Sequence, residues 1–151
     1  MRYAVNGFIP INEPPARRNA LAATVTIVKG DVVHDNGSGY MTNTGTAFVA
    51  TDMGVAAAGV VGDSSTKYVE YYPLDTKTQY IVPVAANALI TRDAIGSIVD
   101  LETNDDIDIS DTVTEGIGFR IDDIDVSADA IDGNTFGYAI GHFEVIATQA
   151  P

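Results

Sequence analysis

The chain has 151 residues, a formal net charge of −13 and no cysteine. This length predicts one domain with extensions that buries roughly 70% of the surface of its unfolded chain, and the lack of cysteine excludes disulfides, thiolate metal sites and a cysteine nucleophile. The negative charge argues against nucleic acid and anionic membranes as partners, because both present negative phosphates. We also predict no membrane span and no signal peptide, since no apolar segment fits either.

Positive charge is concentrated near the N-terminus. Residues 1–30 carry four basic residues against one acid, a net charge of +3, whereas residues 31–151 carry four basic residues against 20 acids, a net charge of −16. The first segment includes GFIPINEPPARR, in which the prolines exclude a helix and a central strand. We therefore predict an extended N-terminal arm over residues 1–21, followed by a compact β domain over residues 22–151.

This arm carries apolar side chains and a Pro14-Pro15 step that favours the polyproline II conformation. An arm of this composition is too apolar for an inert tail and needs a surface to lie on. We therefore interpret the role of the protein as attachment. The predicted partner contacts are Phe8, Ile9, Pro10, Ile11, Arg17 and Arg18.

After the arm, the pattern is typical of β-strands, with alternating apolar and polar residues and turn signals roughly every 8–12 residues. Asp35-Asn36-Gly37 is a strong hairpin signal, and residues 93–96 fit a single helical turn closed by glycine. The spacing predicts an all-β fold, either a small β-sandwich or a partly open β-barrel, with one short helical turn. The predicted strands cover residues 23–28, 32–34, 40–41, 46–50, 55–61, 68–73, 79–84, 97–101, 118–126 and 137–147.

Two groups of aspartates invite a calcium-binding interpretation, because calcium prefers carboxylate oxygens. The first group lacks the glycine and the closing glutamate of an EF-hand loop, and its alternating isoleucines predict a strand or loop edge with the acids facing water. The second group follows an exposed strand face and a turn, where acids also oppose edge-to-edge aggregation. We therefore predict no metal and no cofactor. The groups are Asp105, Asp106, Asp108 and Asp111, and Asp122, Asp123, Asp125 and Asp129.

The sequence offers no catalytic motif. His34 and His142 belong to no zinc-binding pattern, and the nucleophile motif G-x-S-x-G is absent, so we predict that the protein is not an enzyme. An alternative interpretation is a carbohydrate-binding or adhesin-like β module, in which Tyr68, Tyr71 and Tyr72 form a stacking platform for sugars.

Seven segments in chain order resemble the decoration, or cement, proteins of tailed bacteriophages, which sit on the outside of HK97-type capsids. The resemblance covers about residues 22–147 and lies in strand order and residue character. The segments are Lys-Gly-Asp-Val-Val (29–33), Gly-Tyr (39–40), Gly-Val-Ala-Ala-Ala-Gly-Val-Val (54–61), Tyr-Val-Glu-Tyr-Tyr-Pro-Leu-Asp (68–75), Tyr-Ile-Val-Pro-Val (80–84), Ile-Gly-Ser-Ile-Val-Asp-Leu (95–101) and Phe-Arg-Ile-Asp-Asp-Ile-Asp (119–125).

This resemblance implies a structural protein of the virion, made in the host cytoplasm and bound to the outer capsid surface. Its expected partners are the major capsid protein and other copies of itself, with a trimer as the expected assembly. Many copies of modest affinity give a large total stabilisation of a lattice. Addition of residues 7–12 as a strand to a capsid sheet is one expected route of attachment.

Overall fold

Short strands separated by polar and glycine-containing turns build the fold. The computed structural model describes residues 7–43, 45, 47–49, 53–85, 89–127 and 136–146. Within these residues the chain forms thirteen strands and one 3₁₀ turn, Arg92–Ala94. The strands are β1 (Ile9–Pro10), β2 (Arg17–Ala20), β3 (Thr26–Ile27), β4 (Val32–Asp35), β5 (Met41–Asn43), β6 (Met53–Ala56), β7 (Val60–Val61), β8 (Tyr68–Pro73), β9 (Tyr80–Pro83), β10 (Ile98–Thr103), β11 (Asp106–Thr112), β12 (Gly116–Asp125) and β13 (Tyr138–Ile146).

The described strands form three antiparallel sheets. A six-stranded sheet has the order β1-β9-β13-β12-β10-β11, and a five-stranded sheet has the order β2-β8-β6-β4-β5. A two-stranded ribbon pairs β3 with β7. The predicted all-β class is confirmed, and because the sheets do not close into a barrel, the fold is a small β-sandwich.

The main core lies between the two large sheets. Phe119 and Phe143 enter it from the six-stranded sheet, and Val55 and Tyr72 enter it from the five-stranded sheet. A second core covers the opposite face of the five-stranded sheet, where the β3–β7 ribbon packs against it. This double coverage explains why all four residues of β6 are buried.

Most predicted strands are present with limits within two residues of the prediction, but two differ more. The strand predicted over residues 23–28 is reduced to Thr26–Ile27, because Thr24 has a φ of 65° that interrupts the extended backbone. The strand predicted over residues 55–61 is two strands, β6 and β7, which belong to different sheets.

The strand predicted over residues 46–50 is not found where it can be assessed. Residues 47–49 form no strand, and residues 46 and 50 lie outside the described residues. For the first aspartate group, residues 105–111, the sequence predicted either a strand or a loop edge. Most of this segment forms strand β11.

The predicted hairpin and helical turn are confirmed. Asp35 pairs with Met41 across β4 and β5, and its Oδ1 accepts the N–H of Gly37 at 2.7 Å. The 3₁₀ turn precedes Gly96, whose φ of 93° suits glycine. Among the described residues, no helix is long and apolar enough to span a bilayer.

The described part of the predicted arm is incorporated into the β domain. Residues 9–10 form the edge strand beside β9, and residues 17–20 form the edge strand beside β8. The predicted domain start at residue 22 is therefore corrected, since residues 7–21 supply one edge of each large sheet. We call residues 7–21 the N-terminal strap.

Candidate partner-binding surface

Phe8 fixes one end of the N-terminal strap in the main core. Its ring centroid lies 5.4 Å from that of Phe119 and 5.4 Å from that of Phe143. The Phe8 N–H donates to the carbonyl oxygen of Gly30 at 2.9 Å. The prediction that Phe8 contacts a partner is corrected, because its side chain is 1% exposed and packs inside its own protein.

The next residues of the strap form the edge strand β1, to which a further strand cannot be fully hydrogen-bonded because of Pro10. Ile9 lies opposite Ile81, and the N–H of Ile11 donates to the carbonyl oxygen of Gln79 at 2.9 Å. Because hydrogen-bonded pairs alternate along an antiparallel ladder, the backbone of Pro10 faces the outer edge, where proline has no N–H to offer. This geometry disfavours the expected β-addition by residues 7–12 and leaves the side chain of Ile11, 50% exposed, as the accessible apolar group.

The middle of the strap lies on the protein surface between two anchored strands. Residues 11–18 are exposed except for Pro14, which is half-buried. Glu13 accepts a hydrogen bond from the hydroxyl of Tyr72, and this contact adds to burial in raising the pKa of Tyr72. The Pro14-Pro15 step restricts the backbone further. We call residues 11–18 the docking segment.

Two arginines occupy the far end of the docking segment. Arg17 lies opposite Tyr71 and Arg18 opposite Glu70 in the β2–β8 pairing. The guanidinium carbon of Arg18 lies 4.7 Å from the ring centroid of Tyr68, a cation–π contact that contributes roughly 0.5–1 kcal/mol at exposed sites. Both arginines are exposed, so this end of the segment presents positive charge on an acidic protein.

The structure therefore divides the six predicted contact residues into three groups. Ile11, Arg17 and Arg18 lie exposed on the docking segment, and Ile9 and Pro10 are half-buried at its start. Phe8 belongs to the core. The five predicted contact residues other than Phe8 lie on one continuous segment of chain held along the sheet edges.

The tyrosines proposed for sugar stacking do not form a platform. Tyr71 and Tyr72 point into the two cores and are buried. Tyr68 alone is exposed, and its ring is already covered in part by Arg18. The alternative of a carbohydrate-binding module thereby loses the arrangement on which it depends.

Sequence reasoning missed a polar network on the outer face of β12 and β13. Nδ1 of His142 donates to Oδ2 of Asp122 at 2.7 Å, and Nε of Arg120 donates to Oε2 of Glu144 at 2.6 Å. Nε2 of His142 lies 3.8 Å from the same Glu144 oxygen. The four side chains are partly exposed, so the network stabilises the pairing of the two strands as a surface ion cluster.

A β-bulge brings this network together. The register shifts between Ile121 and Asp123, which leaves Asp122 as the extra residue and turns its carboxylate toward His142. The charged residues of the two predicted strands were visible in the sequence. The sequence did not show which of these side chains would face one another. The described groups next to this pair are Gln79, whose Nε2 donates to Oδ2 of Asp122 at 3.3 Å, and Glu144, whose Oε2 lies 3.8 Å from Nε2 of His142.

The β10–β11 hairpin concentrates negative charge. Residues 98–112, which we call the acidic hairpin, contain six acids and no basic residue. A hydrogen bond with Asp108, together with the charge of that carboxylate, raises the pKa of Glu102. Asp106 accepts hydrogen bonds from the backbone and hydroxyl of Thr103. Among the residues described here, no group of three or more potential ligands is placed to hold a metal ion; Asp129 lies outside them.

Asp31 is buried where the turn before β4 meets the acidic hairpin. Its Oδ2 accepts the N–H of Val28 at 2.9 Å. Burial raises the pKa of Asp31, the Val28 hydrogen bond partly opposes this effect, and the negative charge of Asp105 adds to it. The buried site therefore favours the neutral form of the Asp31 carboxyl group more than an exposed site would.

The fold is a small β-sandwich whose N-terminal strap is held by strand pairing near both ends and exposed between them. Comparison of the chain with protein-family models, curated proteins and solved structures finds no match.

Proposed function

We propose that this chain is a structural protein of a bacteriophage virion that binds the outer surface of a mature HK97-type capsid and stabilises it. The observation that carries the proposal is the docking segment: it is anchored by Phe8 and β2 at its ends, yet it exposes Ile11, Arg17 and Arg18. Support also comes from the resemblance in strand order and residue character to capsid decoration proteins.

Anchoring gives the docking segment an energetic advantage as a binding surface. A free arm loses conformational entropy when it docks, at roughly 1–2 kcal/mol for each ordered residue backbone. Because β1 and β2 hold the segment in place before binding, much of this loss has already occurred during folding. A modest contact area then suffices for each copy, and repetition over a lattice multiplies its effect.

The chemistry of the segment indicates what kind of surface it fits. Ile11 offers an apolar side chain, while Arg17 and Arg18 offer donors for carboxylates. Pro10, the last residue of β1, has no outward N–H, so side-chain contacts rather than strand addition carry the attachment. A partner surface with an apolar depression beside acidic groups meets these requirements.

The test uses mature, expanded capsids of the phage that carries this gene, mixed with the full-length protein and its Ile11→Asp variant. A charged residue cannot be buried at an apolar contact, so the affinity should fall by about tenfold or more, the factor expected from losing roughly 1.5–3 kcal/mol of isoleucine burial. Occupancy is measured by sedimentation of capsids with bound protein.

Val145→Asp provides the matched control, because Val145, 60% exposed, is an apolar surface residue on β13, away from the docking segment. This control should bind as the original chain does. Failure of the original chain to bind mature capsids would refute the proposal. Equal binding by the Ile11→Asp variant would remove the docking segment from the contact.

A further inference from the structure

The tip of the β4–β5 hairpin carries an asparagine followed by a glycine. Asn36 and Gly37 are both exposed, and Gly37 has a φ of 89°, which glycine adopts at little cost. The hairpin fixes Asn36, because its backbone N–H donates to the carbonyl oxygen of Tyr40 at 2.8 Å. An Asn-Gly pair has a chemistry of its own, since the backbone nitrogen after an asparagine can attack the side-chain amide when no side chain stands in the way.

The nucleophile of that reaction, the backbone nitrogen of Gly37, lies beside a carboxylate. Its N–H donates to Oδ1 of Asp35 at 2.7 Å, within the roughly 2.6–3.2 Å over which a general base acts. The same oxygen accepts the N–H of Gly39 at 3.3 Å, which holds the carboxylate at the hairpin tip. An amide nitrogen is a weak nucleophile while it keeps its proton, so an adjacent base supplies what the attack requires.

The oxygen on which charge would develop has hydrogen-bond donors in place. Oδ1 of Asn36 accepts the backbone N–H of Ser38 at 2.9 Å and that of Tyr40 at 3.4 Å. Attack on Cγ of Asn36 places a negative charge on this oxygen, and donors that are already oriented stabilise such an oxyanion. The hairpin therefore holds a base, a nucleophile and oxyanion donors around one side-chain amide.

We propose that Asn36 is a site of self-catalysed deamidation through a cyclic succinimide. Asp35 takes the proton of the Gly37 N–H, the Gly37 nitrogen bonds to Cγ of Asn36, and an electron pair of the Cγ=Oδ1 bond moves to Oδ1. When the carbonyl re-forms, the Cγ–Nδ2 bond breaks. The proton held by Asp35 passes to the departing nitrogen, which leaves as ammonia, and the Asp35 carboxylate is restored.

Water completes the modification by opening the succinimide ring. Its hydroxyl adds to either ring carbonyl and its proton goes to the ring nitrogen, which gives aspartate or isoaspartate at position 36. Because Asn36 is exposed, water can reach the ring and ammonia can leave. Both products add a negative charge beside Asp35, and isoaspartate also adds a carbon atom to the main chain of the turn. This inference does not depend on capsid binding.

The experiment incubates the purified full-length protein at neutral pH in water enriched in heavy oxygen. Peptide mass spectrometry then assigns each change to one residue and shows whether the product contains heavy oxygen. A labelled product formed during the incubation, which separates it from any earlier change. Both aspartate and isoaspartate should appear at position 36, because the ring opens at either carbonyl, whereas direct hydrolysis of the side chain gives aspartate alone.

Asp35→Asn keeps an oxygen that can accept the Gly37 N–H but removes the base. The reaction rate at position 36 should fall by at least about tenfold, less than the roughly 10²–10⁴-fold of general-base catalysis because the site is exposed. Asp93→Asn is the matched control, since it removes an exposed acid elsewhere and gives the same net charge. Its rate should equal that of the original chain. Circular dichroism checks that each variant is folded.

A second measurement needs no variant. In concentrated urea the contacts of the hairpin are lost, so Asn36 should react at least about tenfold more slowly than in the folded protein. Its rate in urea should be similar to that of Asn6, which also precedes a glycine.

Four outcomes would overturn the inference. One is an Asn36 that reacts no faster in the folded protein than in urea. Another is a rate in Asp35→Asn equal to that of the original chain. The third is equal slowing by Asp35→Asn and Asp93→Asn, which would make net charge responsible. The last is formation of aspartate without isoaspartate, which would exclude the succinimide.

Discussion

The ring of Phe8 packs edge-on against the ring of Phe119, with centroids 5.4 Å apart and planes inclined by 72°. One residue comes from the beginning of the described chain and the other from the centre of β12. The contact fixes the beginning of the N-terminal strap in the main core. The placement of the strap therefore depends on the packing of the core.

Replacing Phe8 with alanine should reduce the free energy of unfolding by about 3–5 kcal/mol, because it removes a buried aromatic side chain and leaves a cavity. Urea unfolding followed by tyrosine fluorescence or circular dichroism measures the change. Ile11→Ala, at an exposed position three residues later, should change stability by about 0.5 kcal/mol or less. A Phe8→Ala protein as stable as the original would contradict the buried placement.

The buried Asp31 should make stability depend on pH. Its pKa in the folded protein is raised above the ordinary value of 3.8, mainly through burial, so the folded state holds the proton more tightly than the unfolded state does. This stabilisation is complete below pH 3.8 and is lost as the pH rises through the folded pKa. Relative to Asp31→Asn, the original chain should therefore lose stability as the pH rises from 3.8 through the folded pKa of Asp31.

Unfolding free energies of the original chain and Asp31→Asn, measured across that interval, check this prediction. The difference between the two proteins isolates Asp31 from the other carboxyl groups, which titrate in both. A difference that stays constant with pH would show that Asp31 keeps an ordinary pKa. Asp63, whose pKa is lowered by hydrogen bonds from Ser65 and Lys67, gives the opposite sign and serves as a contrast in an Asp63→Asn variant.

Gly141 should tolerate no side chain. A Cβ at this position would lie 1.9 Å from the carbonyl oxygen of Arg120 and 2.8 Å from the Phe119 ring. Gly141→Ala must therefore separate β12 from β13 or displace Phe119, at a cost of about 3 kcal/mol or more. Thermal unfolding measures the loss. Gly59→Ala, whose nearest neighbour would be 3.3 Å away, should lose clearly less.

The ion pair between Arg120 and Glu144 should contribute only modestly. Both side chains are about one-third exposed, and pairs of this kind contribute roughly 0.2–1 kcal/mol. Glu144→Gln should therefore reduce stability by less than about 1 kcal/mol at low salt, with a smaller difference in about 0.5 M salt, where screening is strong. Denaturant unfolding at both salt concentrations tests this, and a loss that is large and independent of salt would contradict it.

Local sequence signals predicted the parts of the fold that depend on local structure. Alternation identified β8 and β12, and the Asp35-Asn36-Gly37 turn identified the β4–β5 hairpin. The sequence could not show which sheet each strand would join. The break after Ala56 sends β7 to a separate ribbon, because packing on the second core, and not local propensity, decides where that segment lies.

The sequence predicted which residue types the candidate surface would contain, but not which of those residues would be exposed. Apolar and arginine side chains indicated a contact segment, yet Phe8 has the same chemistry as a partner anchor and as a core residue, and only tertiary packing distinguishes them. The His142–Asp122 pair was missed because it depends on a bulge at one position of a long-range pairing.

The strap also covers strand edges that would otherwise be open to aggregation. While it is in place, β1 and β2 occupy the hydrogen-bonding edges of β9 and β8. A protease cut that released it would uncover two strands rich in tyrosine, valine and isoleucine, the kind of edge that recruits further chains into aggregates. The resistance of the protein to aggregation therefore depends on the integrity of these fifteen residues, 7–21.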